Sequence, residues 1–239
     1  MTTRRSAITD TRFDHGLYTV PQAARLVGMN ASTLATWVHG YERMPAGRPV
    51  VKQGSVVTSV ESGPDGRVIP FIGLVEATVV QAFRRTSLPM QRIRKAVQIL
   101  ADDGELEHAL ASRQLYTDGA AVLYDYSRQH PDDPIKLLTM VVSGQRVFHQ
   151  VVEDYLTRIS FDRDSWATEL IVPVTERPLL RVRPKVAGGE PLFITGGAPL
   201  SAVRSRSMAG ESLDSIAADY GVPSDELDEA LGAVWPTAA

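Results

Sequence analysis

The chain has 239 residues, a formal net charge of −3 and no cysteine, which excludes disulfide frameworks, zinc ribbons and thiol catalysis. Its 44% hydrophobic and 22% charged residues belong to a globular chain with a real core, not to a disordered or collagen-like one. No stretch approaches the roughly 18 apolar residues of a membrane span, and Arg4 and Arg5 are followed by no apolar run of a secretory signal; the expectation is a cytoplasmic protein with no membrane partner.

The small net charge hides a gradient. Residues 1–100 carry 13 basic and 6 acidic side chains, whereas residues 211–239 carry seven acids and no Lys or Arg. A basic front suits a polyanion, because neutralising phosphates releases counterions. An acidic end would be repelled from a duplex.

The most informative stretch runs from Tyr18 to His39. Thr19 and Gln22 have capping-box spacing, and Pro21 suits a first helical turn. Ala23, Ala24 and Val27 form an apolar face of small residues, and Gly28 permits a chain reversal. Asn30 then suits the N-cap of a second helix with Leu34, Trp37 and Val38 on one side. Two short helices joined by a glycine-containing turn make a helix-turn-helix. The opposite face of the second helix carries Ser32, Thr33, Thr36 and His39, side chains that can meet phosphates or base edges. None is a bidentate Arg, so no base preference follows from them. Trp37 is assigned to the core.

A wing is expected next. Val56–Val60 and Arg67–Phe71 flank the turn-rich Ser62-Gly63-Pro64-Asp65-Gly66, a hairpin signal. Arg43, Arg48, Lys52 and Arg67 would then straddle the duplex backbone between the second helix and the wing tip. Leu74–Arg85 and Pro89–Asp103 read as helices, with Ser87 as N-cap of the second, Ile93, Val97 and Leu100 in register, and Arg84, Arg85, Arg92, Arg94 and Lys95 on basic outer faces. Across residues 17–100 this arrangement resembles the N-terminal domain of MerR-type regulators. Trp37, Val38, His39, Gly40 and Tyr41 stand where those regulators have an Arg-Tyr-Tyr run, and their DNA-distortion mechanism is therefore not carried over.

The middle is strand-rich. Leu115–Thr117 and Ala121–Tyr124 bracket the tight-turn pair Asp118-Gly119, residues 129–134 form a polar loop, and Val147–Leu156 reads as an amphipathic helix. Ile159–Phe161, Leu170–Val172 and Leu179–Val182 read as short strands of a small antiparallel sheet covered by one helix. Linking or docking is the role expected of it.

Beyond Gly189, helices are expected from Val203 to Ala209, after Ser212 and after Ser224, the two serines acting as N-caps. Leu213, Ile216 and Ala217 form one apolar row and Leu227, Ala230 and Leu231 another. The result is a three-helix unit with a second helix-turn-helix shape. Its lead-in Gly189-x-Pro191, the Gly196-x-x-Pro199 loop, Gly210-Glu211-Ser212, Ile216-Ala217-x-x-Tyr220-Gly221 and the Glu226–Leu231 helix resemble a homeodomain-like trihelical domain of antitoxin-type proteins over residues 178–239. With the MerR-like front, the whole chain is similar to larger actinobacterial antitoxins of VapBC-type pairs. The resemblance implies a homodimer that binds its own operator DNA and sequesters a PIN-like ribonuclease toxin. With seven acids after Gly210, the terminal unit is assigned protein contacts through Arg204, Arg206, Glu211, Asp214, Asp225, Glu226 and Glu229, the acids either mimicking RNA phosphates in a nuclease groove or forming a solvated surface.

Enzyme signatures are lacking. Gly188-Gly189 and Gly196-Gly197 are not followed by Lys-Ser or Lys-Thr, so there is no P-loop, and there is no Gly-x-Ser-x-Gly elbow or His-Glu-x-x-His. His15, His39, His108, His130 and His149 lack metal-ligand spacing, and Asp132-Asp133 and Asp162-x-Asp164 sit in turn contexts. Neither catalysis, cofactor nor metal is expected.

The fold class expected is α+β: a winged helix-turn-helix over 1–110, a small antiparallel-sheet region over 111–187 and a homeodomain-like three-helix unit over 188–239. The leading function is an autoregulating antitoxin. Its rivals are a free-standing MerR-type regulator whose middle region senses a small molecule, and an interaction adaptor that never touches nucleic acid.

Overall fold

The computed structural model of the protein describes residues 10–43, 51–85, 89–102, 106–115, 129 and 157–236. The chain begins with α1 (Thr11–Asp14), α2 (Val20–Val27) and α3 (Ala31–His39). The expected capping box closes α2: Thr19 Oγ1 accepts from Gln22 N at 3.3 Å and Gln22 Oε1 accepts from Thr19 N at 2.9 Å. Gly28 ends it in a left-handed conformation. Asn30 occupies the N-cap of α3, but its side chain makes no capping bond. Leu34, Trp37 and Val38 are buried and seat α3 on α2, which presents Ala23, Ala24 and Val27.

The hairpin that follows α3 is not the one the turn chemistry predicts. Strands β1 (Tyr41–Arg43) and β2 (Val51–Gln53) pair antiparallel, with Glu42 opposite Lys52. Gly40 (φ +69°) admits this hairpin: a Cβ there would lie 2.2 Å from the Gln53 carbonyl oxygen. The Ser62–Gly66 turn exists, with Gly66 N donating to Gly63 O at 3.0 Å and Val60 N to Val68 O at 2.8 Å. Its flanks, however, are spent elsewhere. Leu17 N and Tyr18 N donate to Ile69 O, Ile69 N donates back to Tyr18 O, and Val56, Val57 and Ile69 are buried. The segment braces the start of α2 instead of projecting as a wing.

Helix α4 (Phe71–Arg85) runs through the core, buried at nearly every position from Phe71 to Phe83, and α5 (Met90–Asp102) packs on it through Ile93, Ala96, Ile99 and Leu100. Buried Glu76 is the polar exception in α4. Its carboxylate accepts from Thr58 N at 2.6 Å and from Thr58 Oγ1 at 3.1 Å, and meets His108 Nδ1 at 3.1 Å. This contact raises the His108 pKa above its ordinary value against the opposing effect of burial. Pairing thus offsets the cost of an acid inside an apolar helix.

A 3₁₀ turn (Ala109–Ala111) precedes the sheet, in which β3 (Ile159–Phe161), β4 (Ala167–Ile171), β5 (Leu180–Val182) and β6 (Leu192–Phe193) pair antiparallel in that order. The three expected strands are present. The fourth lies within the segment assigned to the terminal unit, so sheet and terminal helices share a stretch of chain. Ile159, Ala167, Leu170, Leu180, Val182 and Phe193 are its buried residues. The hairpin expected around Asp118-Gly119, the Gln129–Pro134 loop, the Val147–Leu156 helix and the Ser87 cap lie wholly or largely outside the described residues.

Helices α6 (Leu200–Met208), α7 (Leu213–Tyr220) and α8 (Ser224–Val234) form the three-helix unit around Leu200, Val203, Ile216, Leu227, Ala230 and Val234. Ser212 caps α7 by accepting from Ser215 N at 3.2 Å. Ser224 does not cap α8: Pro223 holds the cap position, and Ser224 is the first helical residue.

The front and rear of the molecule are locked together. Arg12 is buried between Asp10 (2.6 Å) and Asp164 (2.5 Å), Phe13 meets Trp166 edge-on at 5.2 Å, and the buried Tyr18 hydroxyl donates to Gly189 O at 2.5 Å. At Gly189 the fit is tight, since a Cβ would lie 2.6 Å from Leu17 Cδ1. Among the described residues no helix is long and apolar enough to cross a membrane.

Candidate nucleic-acid interface

Helix α3 offers the polar face that its sequence predicts. Ser32, Thr33, Thr36 and His39 are exposed, opposite the buried Leu34, Trp37 and Val38. The Thr36 hydroxyl donates to Thr33 O at 2.7 Å, a bond it must give up or share to donate to a phosphate. Hydroxyls and an imidazole fit hydrogen bonding to phosphate oxygens and base edges without large desolvation.

Arg94 is the residue that reading the sequence missed. Its spacing predicts a basic outer face of α5, yet its guanidinium turns inward to the helix-turn-helix. It donates to Thr36 O at 3.1 Å and to Gly54 O, and it lies over the Tyr41 ring at 5.8 Å. A cation on a carbonyl in the last turn of α3 complements the helix dipole and links that helix, the chain after β2 and α5. Burial lowers its pKa. Helical spacing put Arg94 next to Ile93 and off the apolar row; only the tertiary approach of α5 to Gly54 reveals its role.

Of the four cations expected around a wing, Arg43 and Lys52 share the β1–β2 hairpin and Arg67 lies elsewhere. Arg43 ends β1 opposite Val51, and Lys52 is exposed on β2 opposite Glu42. Arg48 lies outside the described residues. Arg67 does not flank the hairpin that follows α3: it sits beyond the Ser62–Gly66 turn, 3.1 Å from Asp65, and lines a cleft beside α2. Its misplacement follows from the misplaced hairpin.

At the rear, the charges expected to meet a partner are in part already engaged. Arg206 is paired with Glu211 and with Asp219 (2.5 Å) and lies over the Tyr220 ring, which raises its pKa; Glu211, which also accepts from Ser215 Oγ, is lowered in turn. Asp225 (3.1 Å) and Glu229 (2.5 Å) are held by Arg177 from the loop before β5. Asp214 and Glu226 have no ion-pair partner among the described residues. Arg204 has no carboxylate partner there either, and its guanidinium carbon lies over the Trp235 ring, 4.3 Å from its centre. Among the described residues no three His, Asp or Glu side chains gather as metal ligands.

A helix pair with a solvent-facing hydroxyl row, a following hairpin and two supporting helices defines a helix-turn-helix protein. Residues 16–97 match the family described as "Putative DNA-binding HTH domain". Over 230 residues the chain is 39% identical to "Putative antitoxin VapB45" of Mycobacterium tuberculosis, spanning 93% of this chain and 95% of that protein. It is 25% identical over 237 residues to the uncharacterized protein Rv2308 of the same organism, spanning 91% of this chain and 90% of that one. The crystal structure of Rv2018 from M. tuberculosis superposes with a TM-score of 0.73 at 34% identity, covering 92% of this chain and 99% of that one. The chain therefore belongs to the VapB45 family of antitoxins and carries its helix-turn-helix at the front.

Proposed function

We propose that this protein is a non-enzymatic, cytoplasmic antitoxin that represses its own operon. As a homodimer it binds operator DNA through α3 and the β1–β2 hairpin, and it neutralises a PIN-like ribonuclease toxin through its acidic terminal unit. The observation that carries the reading is the α3 face: Ser32, Thr33, Thr36 and His39 stand exposed while Leu34, Trp37 and Val38 fix the helix from behind. Membership of the antitoxin family supports the toxin partner. Arg43, Arg48 and Lys52 supply phosphate contacts beside the groove, and Asp214, Glu226 and Asp228 are the acids of the terminal unit left for a basic protein surface.

The test is a salt titration of operator binding together with toxin capture. Replacing Arg43 and Arg48 by Ala should weaken binding and reduce the slope of log affinity against log salt by about two. The same variant should still capture toxin encoded beside it. An unchanged salt slope overturns the DNA half of the reading, and failure of the wild-type chain to copurify with that toxin overturns the other half.

A further inference from the structure

Between α2 and the three-helix unit lies a cleft of about 680 Å³, within the range of small-molecule sites, and it sits where two parts of the fold meet. Its walls join opposite ends of the chain: Leu17 and Leu26 from the front, Leu200, Val234 and Trp235 from the rear. The charged residues of the lining are three arginines and one acid. Glu190, the acid, is already engaged, its Oε1 accepting from Ser201 N at 2.9 Å.

The state of the arginines is the telling feature. Outside the cleft Arg12, Arg177, Arg183 and Arg206 are each tied to at least one carboxylate, and Arg94 and Arg158 bond to backbone carbonyls. In the cleft, Arg25 and Arg204 have no carboxylate partner among the described residues, and Arg67 has only the exposed Asp65. The Arg204 guanidinium carbon lies 4.3 Å from the centre of the Trp235 ring, a cation–π contact that positions the guanidinium and uses none of its N–H donors on a carboxylate. An independent observation concerns Met208, which lines the same cleft and is 75% exposed. A flexible apolar side chain left in water beside such a cavity adapts to an apolar ligand body. A bare phosphate would use the cations and leave these walls unused.

We infer that this cleft binds a small organic anion with a flat apolar body, an aromatic carboxylate or sulfonate, whose acid is taken by Arg25 and Arg204 and whose ring packs against Trp235 and Met208. The site is separate from the α3 face and does not depend on the DNA reading.

The probe is 8-anilinonaphthalene-1-sulfonate, titrated into the full-length protein and compared with its uncharged relative N-phenyl-1-naphthylamine. The sulfonate should bind saturably at one site, about tenfold or more tighter than the neutral dye, since charge-assisted bonds to Arg are the strong ones. The double variant R25Q/R204Q should erase that difference, and inorganic sulfate should compete only weakly. Ser205 is an exposed residue of the same lining, so S205W should block the dye sterically with all charges kept; circular dichroism verifies that each variant folds. Equal binding of the two dyes to the wild type, or an unchanged sulfonate titration in both variants, overturns the inference.

Discussion

The two helix-turn-helix shapes in this chain treat polar side chains in opposite ways. On α3 the exposed Ser32, Thr33 and His39 make no ion pair or side-chain bond within the described structure beyond the local Thr36–Thr33 contact, so they are free to be read by a ligand. In the α6–α8 unit Arg206, Glu211, Asp219, Asp225 and Glu229 are tied up with one another or with Arg177. Similar shapes thus leave a row of unengaged hydroxyls at the front, and at the rear a surface whose acids are in part paired internally, with Asp214, Glu226 and Asp228 outside any ion pair among the described residues. A formal charge count overstates the acidity that the rear offers to a partner.

The comparison can be broken at several points. The largest effect is expected at the seat of α3: W37A removes a buried aromatic that packs it on α2 and should cost about 3–5 kcal/mol in denaturant unfolding. Next, T33E/T36E places two anions on the exposed face and should reduce operator affinity about 100-fold or more while leaving the circular dichroism unchanged; retained affinity would remove α3 from the groove. R94Q, which withdraws the brace from Thr36 O and Gly54 O, should weaken operator binding about tenfold with a smaller change in stability.

A gentler effect concerns pH. The His108 pKa is raised by its bond to Glu76, so the protonated folded form is favoured. That stabilisation is fully present below His108's ordinary value of 6.5 and is lost as pH rises through the raised folded value. Thermal melts from pH 5.5 upward should show this decline, and H108Q should flatten it. The smallest effect belongs to the rear: R177Q breaks an exposed pair network and should leave the melting temperature essentially unchanged. A marked drop there would mean that the rear network bears more of the fold than its exposure suggests.

Much of the helix-turn-helix was legible in the sequence because its determinants are local. The Thr19–Gln22 box, the Gly28 reversal and the Leu34–Trp37–Val38 row each act within one turn or one helix face, and each recurs in the structure. The hairpin after α3 escaped because its strands are three residues long and dominated by Tyr41, Glu42 and Lys52, whereas the Ser62–Gly66 turn advertised itself strongly. That turn is real, but Tyr18, far back in the chain at the entry to α2, claims its flank. Strand β6 escaped for the same reason: two residues become a strand only because β5 lies beside them. Arg94 reads as a surface cation, and only the tertiary approach of the Thr36 and Gly54 carbonyls gives it partners.

Tyr18 carries a consequence for how the molecule comes apart. Its backbone is stitched to Ile69 and its phenol to Gly189, so one residue at the threshold of α2 belongs simultaneously to both extremities. Amide exchange at the opening turn of α2 and along the Gly189–Leu200 stretch should accordingly proceed through a shared opening event, with protection lost in step, and the polypeptide should melt as one cooperative body instead of as beads on a string.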